Sequence, residues 1–187
     1  YIPDRFKDGY GADQNLIRRL IDIYNPRLII FLDCGSSSHS AIKYIKTKGI
    51  SSLIIDHHNT FIPYPLSDVF INPKKDVDYK KYDYLCTTFL TYMFIDLYIK
   101  LDKSKYLLND DQIYVLLATI ADVMPLRGIN KILAINVIKN FDVNKNFIFK
   151  NLFKILDIKK KLEINDLGFK IAPLLNSAGR LDKFANR

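Results

Sequence analysis

LIIFLD at 28–33 and SLIID at 52–56, with SHSAIKYIKTKG (38–49) between them, decide the fold. Each flanking segment is an unbroken apolar run that ends in an acid, the pattern of a strand buried on both faces. Between them Ala41, Ile42 and Ile45 recur at helical spacing, and Gly49 stands where a helix needs its C-terminal stop. Two such strands joined by a helix make a βαβ unit with parallel strands, so the fold class is α/β.

Upstream, DQNLIRRLIDIY (13–24) places Leu16, Ile17, Leu20, Ile21 and Tyr24 on one helical face, with Asp13 as N-cap and Pro26 as the stop. Downstream, a turn-rich stretch with Pro63 and Pro65 leads to a short strand at Val69 to Ile71, closed by Asn72-Pro73. The remainder reads as helices near 84–100, 110–124, 129–140, 146–157 and 165–176, joined by Lys- and Asn-rich loops. A parallel sheet with flanking helices and a helix-rich C-terminal half is the expected architecture. No internal repeat or low-complexity linker divides it.

The composition agrees with one globular domain: 187 residues, 49% hydrophobic and 26% charged. The most lipophilic stretch, Tyr84 to Ile99, is broken by Thr87, Thr88, Thr91 and Asp96 and is shorter than the roughly 18 residues a membrane span needs. It reads as a buried helix, with no membrane role. Cys34 and Cys86 form no CxxC and sit in apolar segments, which favours a reducing, cytoplasmic setting without a signal peptide. The net charge of +8 favours polyanionic partners, although Lys alongside abundant Ile, Asn and Tyr is also the composition of an AT-rich genome. The chain opens at Tyr1 without Met and closes at Arg187 in mid-segment, so it is expected to be a piece of a longer protein.

In an open parallel sheet, ligands bind beyond the carboxyl ends of the strands, and both strands of this unit end in aspartate, Asp33 and Asp56. Neighbouring strands lie about 4.8 Å apart, so Asp33 can converge with the cluster Asp56-His57-His58. A lone strand-terminal Asp commonly serves a turn, and a lone His the core. Here two of the three histidines are adjacent and directly follow an Asp. Carboxylate with imidazole suits Mn, Zn or Fe rather than a soft thiolate site. Two ions roughly 3.5 to 4 Å apart need a bridging carboxylate, and Asp33 is placed to be one.

Asp56-His57-His58 resembles the signature of the DHH phosphoesterase superfamily. FLDCGSSS (31–38) is similar to its second motif, and ATIADVMPLRGINK (118–131), with Asp122, to its fourth. RFKDGYG (5–11), NPKK (72–75) and DLGFKIAPLLNSAGRL (166–181) resemble the RecJ branch of bacterial single-strand exonucleases. The matches run in the expected order along nearly the whole chain.

The resemblance implies that Asp33 bridges two Mn2+ ions, with Mg2+ or Co2+ as alternatives, while His57 and Asp122 ligate the second. Asp56 would orient the imidazoles, His58 would face the substrate phosphate, and Arg180 would grip a phosphate through its forked guanidinium. The implied activity is 5′-to-3′ hydrolysis of single-stranded DNA in repair and recombination, alongside DNA-repair proteins. Alternatives are a DHH phosphodiesterase acting on oligonucleotides, cyclic dinucleotides or nucleoside bisphosphates, and a non-catalytic replication scaffold. Neither cysteine has a neighbouring base to make it a nucleophile.

One departure stands out. The family carries an earlier aspartate motif, on a strand ahead of Tyr1, that supplies most ligands of the first ion. Asp4 and Asp8 match a later part of the pattern and do not replace it. Residues 1–187 are therefore expected to be a partial DHH domain, lacking that first metal-binding strand and the C-terminal partner domain, and inactive or nearly so in isolation. Lys74, Lys75, Lys80 and Lys81, interleaved with Tyr79, Tyr82 and Tyr84, fit either a stacking platform or a solvated loop. The Ser36-Ser37-Ser38 run and His39 form the turn into the following helix, with a serine as cap or its N–H groups toward a phosphate.

Overall fold

A computed structural model describes residues 1–4, 6–9, 11–103, 108 and 111–178. Helix α1 (Gln14–Tyr24) precedes strand β1 (Leu28–Leu32), helix α2 (His39–Thr47), and strands β2 (Ser51–Ile55) and β3 (Val69–Ile71). A 3-10 segment, Val77–Tyr82, leads into helices α3 (Thr87–Leu101), α4 (Gln112–Ala121), α5 (Gly128–Asn140) and α6 (Phe147–Ile155). The last helical region is α7 (Ile164–Asp166), a π-helical turn at Leu167–Ile171, and α8 (Ala172–Ala178). This is the α/β architecture with a helix-rich second half that the sequence leads one to expect.

The sheet is parallel, in the order β1-β2-β3, with Leu32 opposite Ile55 and Ile55 opposite Ile71. Its ladder runs one residue past the strands, because Asp33 N donates to Ile55 O and Asp56 N donates to Ile71 O. Asp33, Asp56 and Asn72 thereby share one edge. Gly35 follows in a left-handed conformation at φ 108°, where a Cβ would come within 3.1–3.2 Å of Ile54 and Phe31. Only glycine lets this turn lie so close over the sheet.

Two apolar clusters hold the chain. Ile17 and Ile21 of α1, and Ala41, Ile42 and Ile45 of α2, pack with Phe31 and Ile54 of the sheet. A larger one joins α3 to α8 around Leu85, Phe89, Leu116, Phe149, Leu167 and Ile171. Asp13 caps α1 through Leu16 N as expected, and Asn25 ends it in the left-handed conformation before Pro26.

Several expectations are corrected. Strand β1 is buried on one face only: Leu28, Ile30 and Leu32 are about half exposed, while Phe31 is buried. Among the described residues β1 pairs only with β2, and α3 meets the sheet without burying these three side chains. Helix α3 is likewise buried only at its first turn, through Thr87 and Phe89, because Leu97, Tyr98 and Leu101 point away from the larger cluster. Tyr24 lies exposed at the end of α1, one turn beyond the contact made by Ile21. The segment read as a helix over 110–124 stops at Ala121, where a turn takes over, and that over 84–100 begins at Thr87.

Phe149 is fully buried, with its ring centroid 5.1 Å from Phe141 and 5.9 Å from Tyr114. Phe149→Ala leaves a cavity that these rings cannot close, and is expected to cost about 3–5 kcal/mol of stability. Urea unfolding checks it; a loss under about 1 kcal/mol would mean that the larger cluster collapses around the gap.

Candidate functional site

The carboxylate of Asp56 is almost wholly buried, at 1% exposure, and organises the carboxyl edge of the sheet. Its Oδ2 accepts from Ser36 N at 3.0 Å. Its Oδ1 accepts from His57 N at 2.7 Å, from His58 N at 3.2 Å and from the His58 ring at Nδ1, 2.7 Å away. Burial disfavours the charge, but the hydrogen bonds from Ser36 and His58 outweigh it and hold the carboxyl below the ordinary aspartate range. With Nδ1 of His58 donating, its Nε2 is left as the free acceptor.

His57 lies alongside. Its Nε2 is 3.4 Å from Asp33 Oδ1 and 4.0 Å from Asp122 Oδ2. Burial lowers its pKa, although Asp33 pulls the other way, so the ring is neutral near pH 7. Its Nδ1 is buried without a hydrogen-bond partner among the described residues. The Asp56 carboxylate therefore orients one imidazole, that of His58, and not both as expected, since Oδ1 is in reach of the His58 ring alone.

Asp33 sits at φ 61°, a left-handed conformation that aspartate tolerates, just beyond β1. Asp122 is the C-cap of α4. Burial raises its pKa, and the charge of Asp33 adds to the effect. The residue after it, Val123, is left-handed as well, at φ 55°. Val123 N donates to Ile120 O and Met124 N to Thr119 O, a Schellman turn in which glycine is the usual occupant. A β-branched residue there costs about 1–2 kcal/mol.

Thus Asp33, His57 and Asp122, from three separate segments, meet in one crevice, with Asp56 and His58 against it. Asp33, His57 and His58 offer ligand atoms within 4.8 Å of one another. This tightest trio contains His58, whereas sequence reading paired Asp33 and His57 with Asp122. Oxygen and imidazole nitrogen donors of this kind suit a borderline divalent ion such as Mn2+. Arg180 lies outside the described residues.

Two supporting residues escaped the sequence reading. Buried Asn72 donates from Nδ2 to Ser36 Oγ and to His58 O, 2.9 Å each, so that β3 braces the histidine segment. Asn130, also buried, donates to Tyr84 O at 2.8 Å and Pro125 O at 3.0 Å, while Arg127 stacks over the Tyr84 ring and pairs with Asp83. These contacts fasten the return loop behind Asp122. Asn72-Pro73 was legible as a turn, but its reach to Ser36 was not.

Other expectations fall away. Ser38 makes no side-chain cap on α2, and Ser36 N is committed to Asp56. Tyr84 is buried beneath Arg127 and leaves the stacking platform, whereas the solvated reading with partly buried tyrosines holds, the lysine-rich segment being an exposed 3-10 helix. Burial, with Asp56 and Asp33 nearby, pushes the Cys34 thiol up to about 11, leaving it protonated and no nucleophile.

The chain belongs to the DHH family: residues 1–124 match the DHH family, N-terminal domain. Within that class it is similar to the single-stranded-DNA-specific exonuclease RecJ of Escherichia coli K12, 30% identical over 97% of this chain and 33% of the relative. The RecJ of Bacillus subtilis 168 is also 30% identical, over 98% of this chain and 23% of that protein. The chain thus spans a third or less of these relatives' length. A crystal structure of exonuclease RecJ bound to manganese superposes with a TM-score of 0.76 at 20% identity, covering 99% of this chain and 46% of the other. That of Thermus thermophilus RecJ in complex with Mn2+ gives 0.75 at 20% identity, covering 90% and 25%. Among the described residues no helix is long and apolar enough to cross a membrane.

The Asp56 network has a signature in pH. Because its folded pKa is depressed, its stabilisation is present above the ordinary aspartate range and is lost as pH falls through the folded value. Asp56→Asn is expected to cost about 2 kcal/mol at neutral pH, and the gap to the unsubstituted chain should close on acidification. Urea midpoints across an acid series read this, and a gap constant with pH would remove Asp56 as the organising charge.

Proposed function

We propose that this chain forms the catalytic core of a metal-dependent phosphodiesterase that removes nucleotides from the 5′ end of single-stranded DNA, in the cytoplasm and in the service of repair and recombination. The observation that carries the reading is the convergence of Asp33, His57 and Asp122 at the carboxyl edge of a parallel sheet. The similarity to RecJ exonucleases and the net charge of +8 support a polyanionic single strand as substrate.

In this reading Asp33, which leaves β1 through a left-handed backbone and lies 3.4 Å from His57 Nε2, would hold divalent ions together with His57 and Asp122. His57 offers Nε2 as a neutral ligand and Asp122 closes the site from the end of α4. A divalent ion held by Asp33, His57 and Asp122 would offset the burial and the neighbouring Asp33 charge that raise Asp122. His58, locked by Asp56 through Nδ1, presents Nε2 to the scissile phosphate. Arg180 would grip a phosphate through its forked guanidinium. Bound Mn2+ supplies charge withdrawal from the phosphodiester and lowers the pKa of the attacking water. Neither cysteine takes part, and no protein nucleophile is required.

The test uses the complete gene product that carries these residues, end-labelled 5′-phosphorylated single-stranded DNA, and Mn2+. Stepwise shortening from the 5′ end is expected, stopped by a chelator. Asp33→Ala should lower kcat by more than about 100-fold, beyond what loss of an outer hydrogen-bond partner costs. Turnover of a nucleoside bisphosphate alone would move the activity to small substrates, and turnover of neither would leave a DHH-fold scaffold.

A further inference from the structure

We infer that Asn72 is a positioning residue for His58: it holds the main-chain carbonyl of the histidine while Asp56 holds the ring, and so fixes the line along which His58 Nε2 meets the substrate phosphate. The inference rests on the nuclease reading above. Four residues close a ring of hydrogen bonds across the carboxyl ends of all three strands. Asn72 Nδ2 donates to Ser36 Oγ and to His58 O, 2.9 Å each. Ser36 N donates to Asp56 Oδ2 at 3.0 Å, and Asp56 Oδ1 accepts from His58 N and from the His58 ring. Asn72, Ser36 and Asp56 are all buried, so these bonds belong to the interior and not to a surface.

Asp56 alone does not settle where the ring points. It lies two residues before His58, and its bonds to His58 N and Nδ1 tie the ring to the chain on the amino side of the residue. The carbonyl side is left to swing about that anchor. Asn72 holds it, from the end of a different strand. An imidazole held on both sides of its Cα has a single direction for Nε2.

The amide suits this task because each of its polar sites is used. Oδ1 accepts from Lys74 N at 2.9 Å, which turns Nδ2 toward Ser36 and His58, and the two hydrogens on Nδ2 serve the two acceptors. Aspartate would bring no donor. Serine could keep the turn by accepting from Lys74 N, but is too short to reach His58 O. A hydrogen bond to phosphate weakens steeply with angle, and small displacements of a positioned group cost turnover heavily.

Asn72→Ser and Asn72→Ala in the complete gene product test this, with His58→Ala alone and combined with Asn72→Ser. With Mn2+ and 5′-phosphorylated oligothymidylate, both Asn72 variants are expected to lower kcat at least about tenfold and to leave KM within about twofold. In the His58→Ala background, Asn72→Ser should lower kcat no further. A second measurement uses chelator-treated protein with 15N-labelled histidine. The ring nitrogens of His58, assigned by their loss in His58→Ala, should report one tautomer with hydrogen on Nδ1, and a mixture in Asn72→Ser. Urea stability is read throughout, and Asn72→Ser carries the test if Asn72→Ala does not fold. Full kcat in Asn72→Ser, effects that multiply with those of His58→Ala, or an unchanged tautomer would each overturn the inference. If the unsubstituted protein cuts no strand, the nuclease reading falls, and the tautomer alone decides whether Asn72 holds the ring. If it cuts and Asn72→Ser matches it, only the inference falls.

Discussion

The buried Asp56 carboxylate is the constraint on which the rest of the crevice depends. Burying a carboxylate is costly unless its oxygens are saturated with donors. Asp56 meets that demand with three backbone N–H groups and one imidazole, drawn from the turn after β1 and from the two histidines that follow it. The same bonds therefore dock the Ser36 turn onto β2, fix the tautomer of His58 and set the direction in which His57 leaves the strand. Asn72 extends the arrangement to β3 through Ser36 Oγ and His58 O.

The crevice also joins the two apolar clusters. Asp33 and His57 stand on the sheet that packs with α1 and α2, whereas Asp122 ends a helix rooted in the larger cluster. Repulsion between Asp33 and Asp122 acts across that boundary, and a cation held by both would act as a clamp between the clusters. The loop behind Asp122 is fastened within the larger cluster by Asn130, Tyr84 and Arg127.

Left-handed backbone occurs at Asp33 and Val123, on either side of this boundary. At Asp33 the conformation is tolerable, and the carboxylate lies 3.4 Å from His57 Nε2. At Val123 it is costly, because the side chain is β-branched.

The sequence by itself determined the βαβ unit, the parallel sense of the strands and the place of the site. Those follow from local patterns: apolar runs ending in Asp33 and Asp56, helical spacing around Ile42, and the rule that ligands meet strand carboxyl ends. It also brought out Asp33, Asp56, His57 and His58, because adjacent histidines after an acid are conspicuous in a chain holding three, whereas Asp122 came from the resemblance of residues 118–131 to a family motif. Tertiary structure decided what depends on neighbours far along the chain. Apolar runs at Leu28–Leu32 and Thr87–Leu101 read as buried, but hydrophobicity does not reveal which face finds a partner, and one face of each is left exposed. The bracing by Asn72 and Asn130 was invisible for the same reason, since a polar side chain's role is set by which distant carbonyl or hydroxyl the fold brings within reach. The strain at Val123 was hidden too, because a valine in sequence carries no mark of its φ angle until the end of α4 closes into its turn.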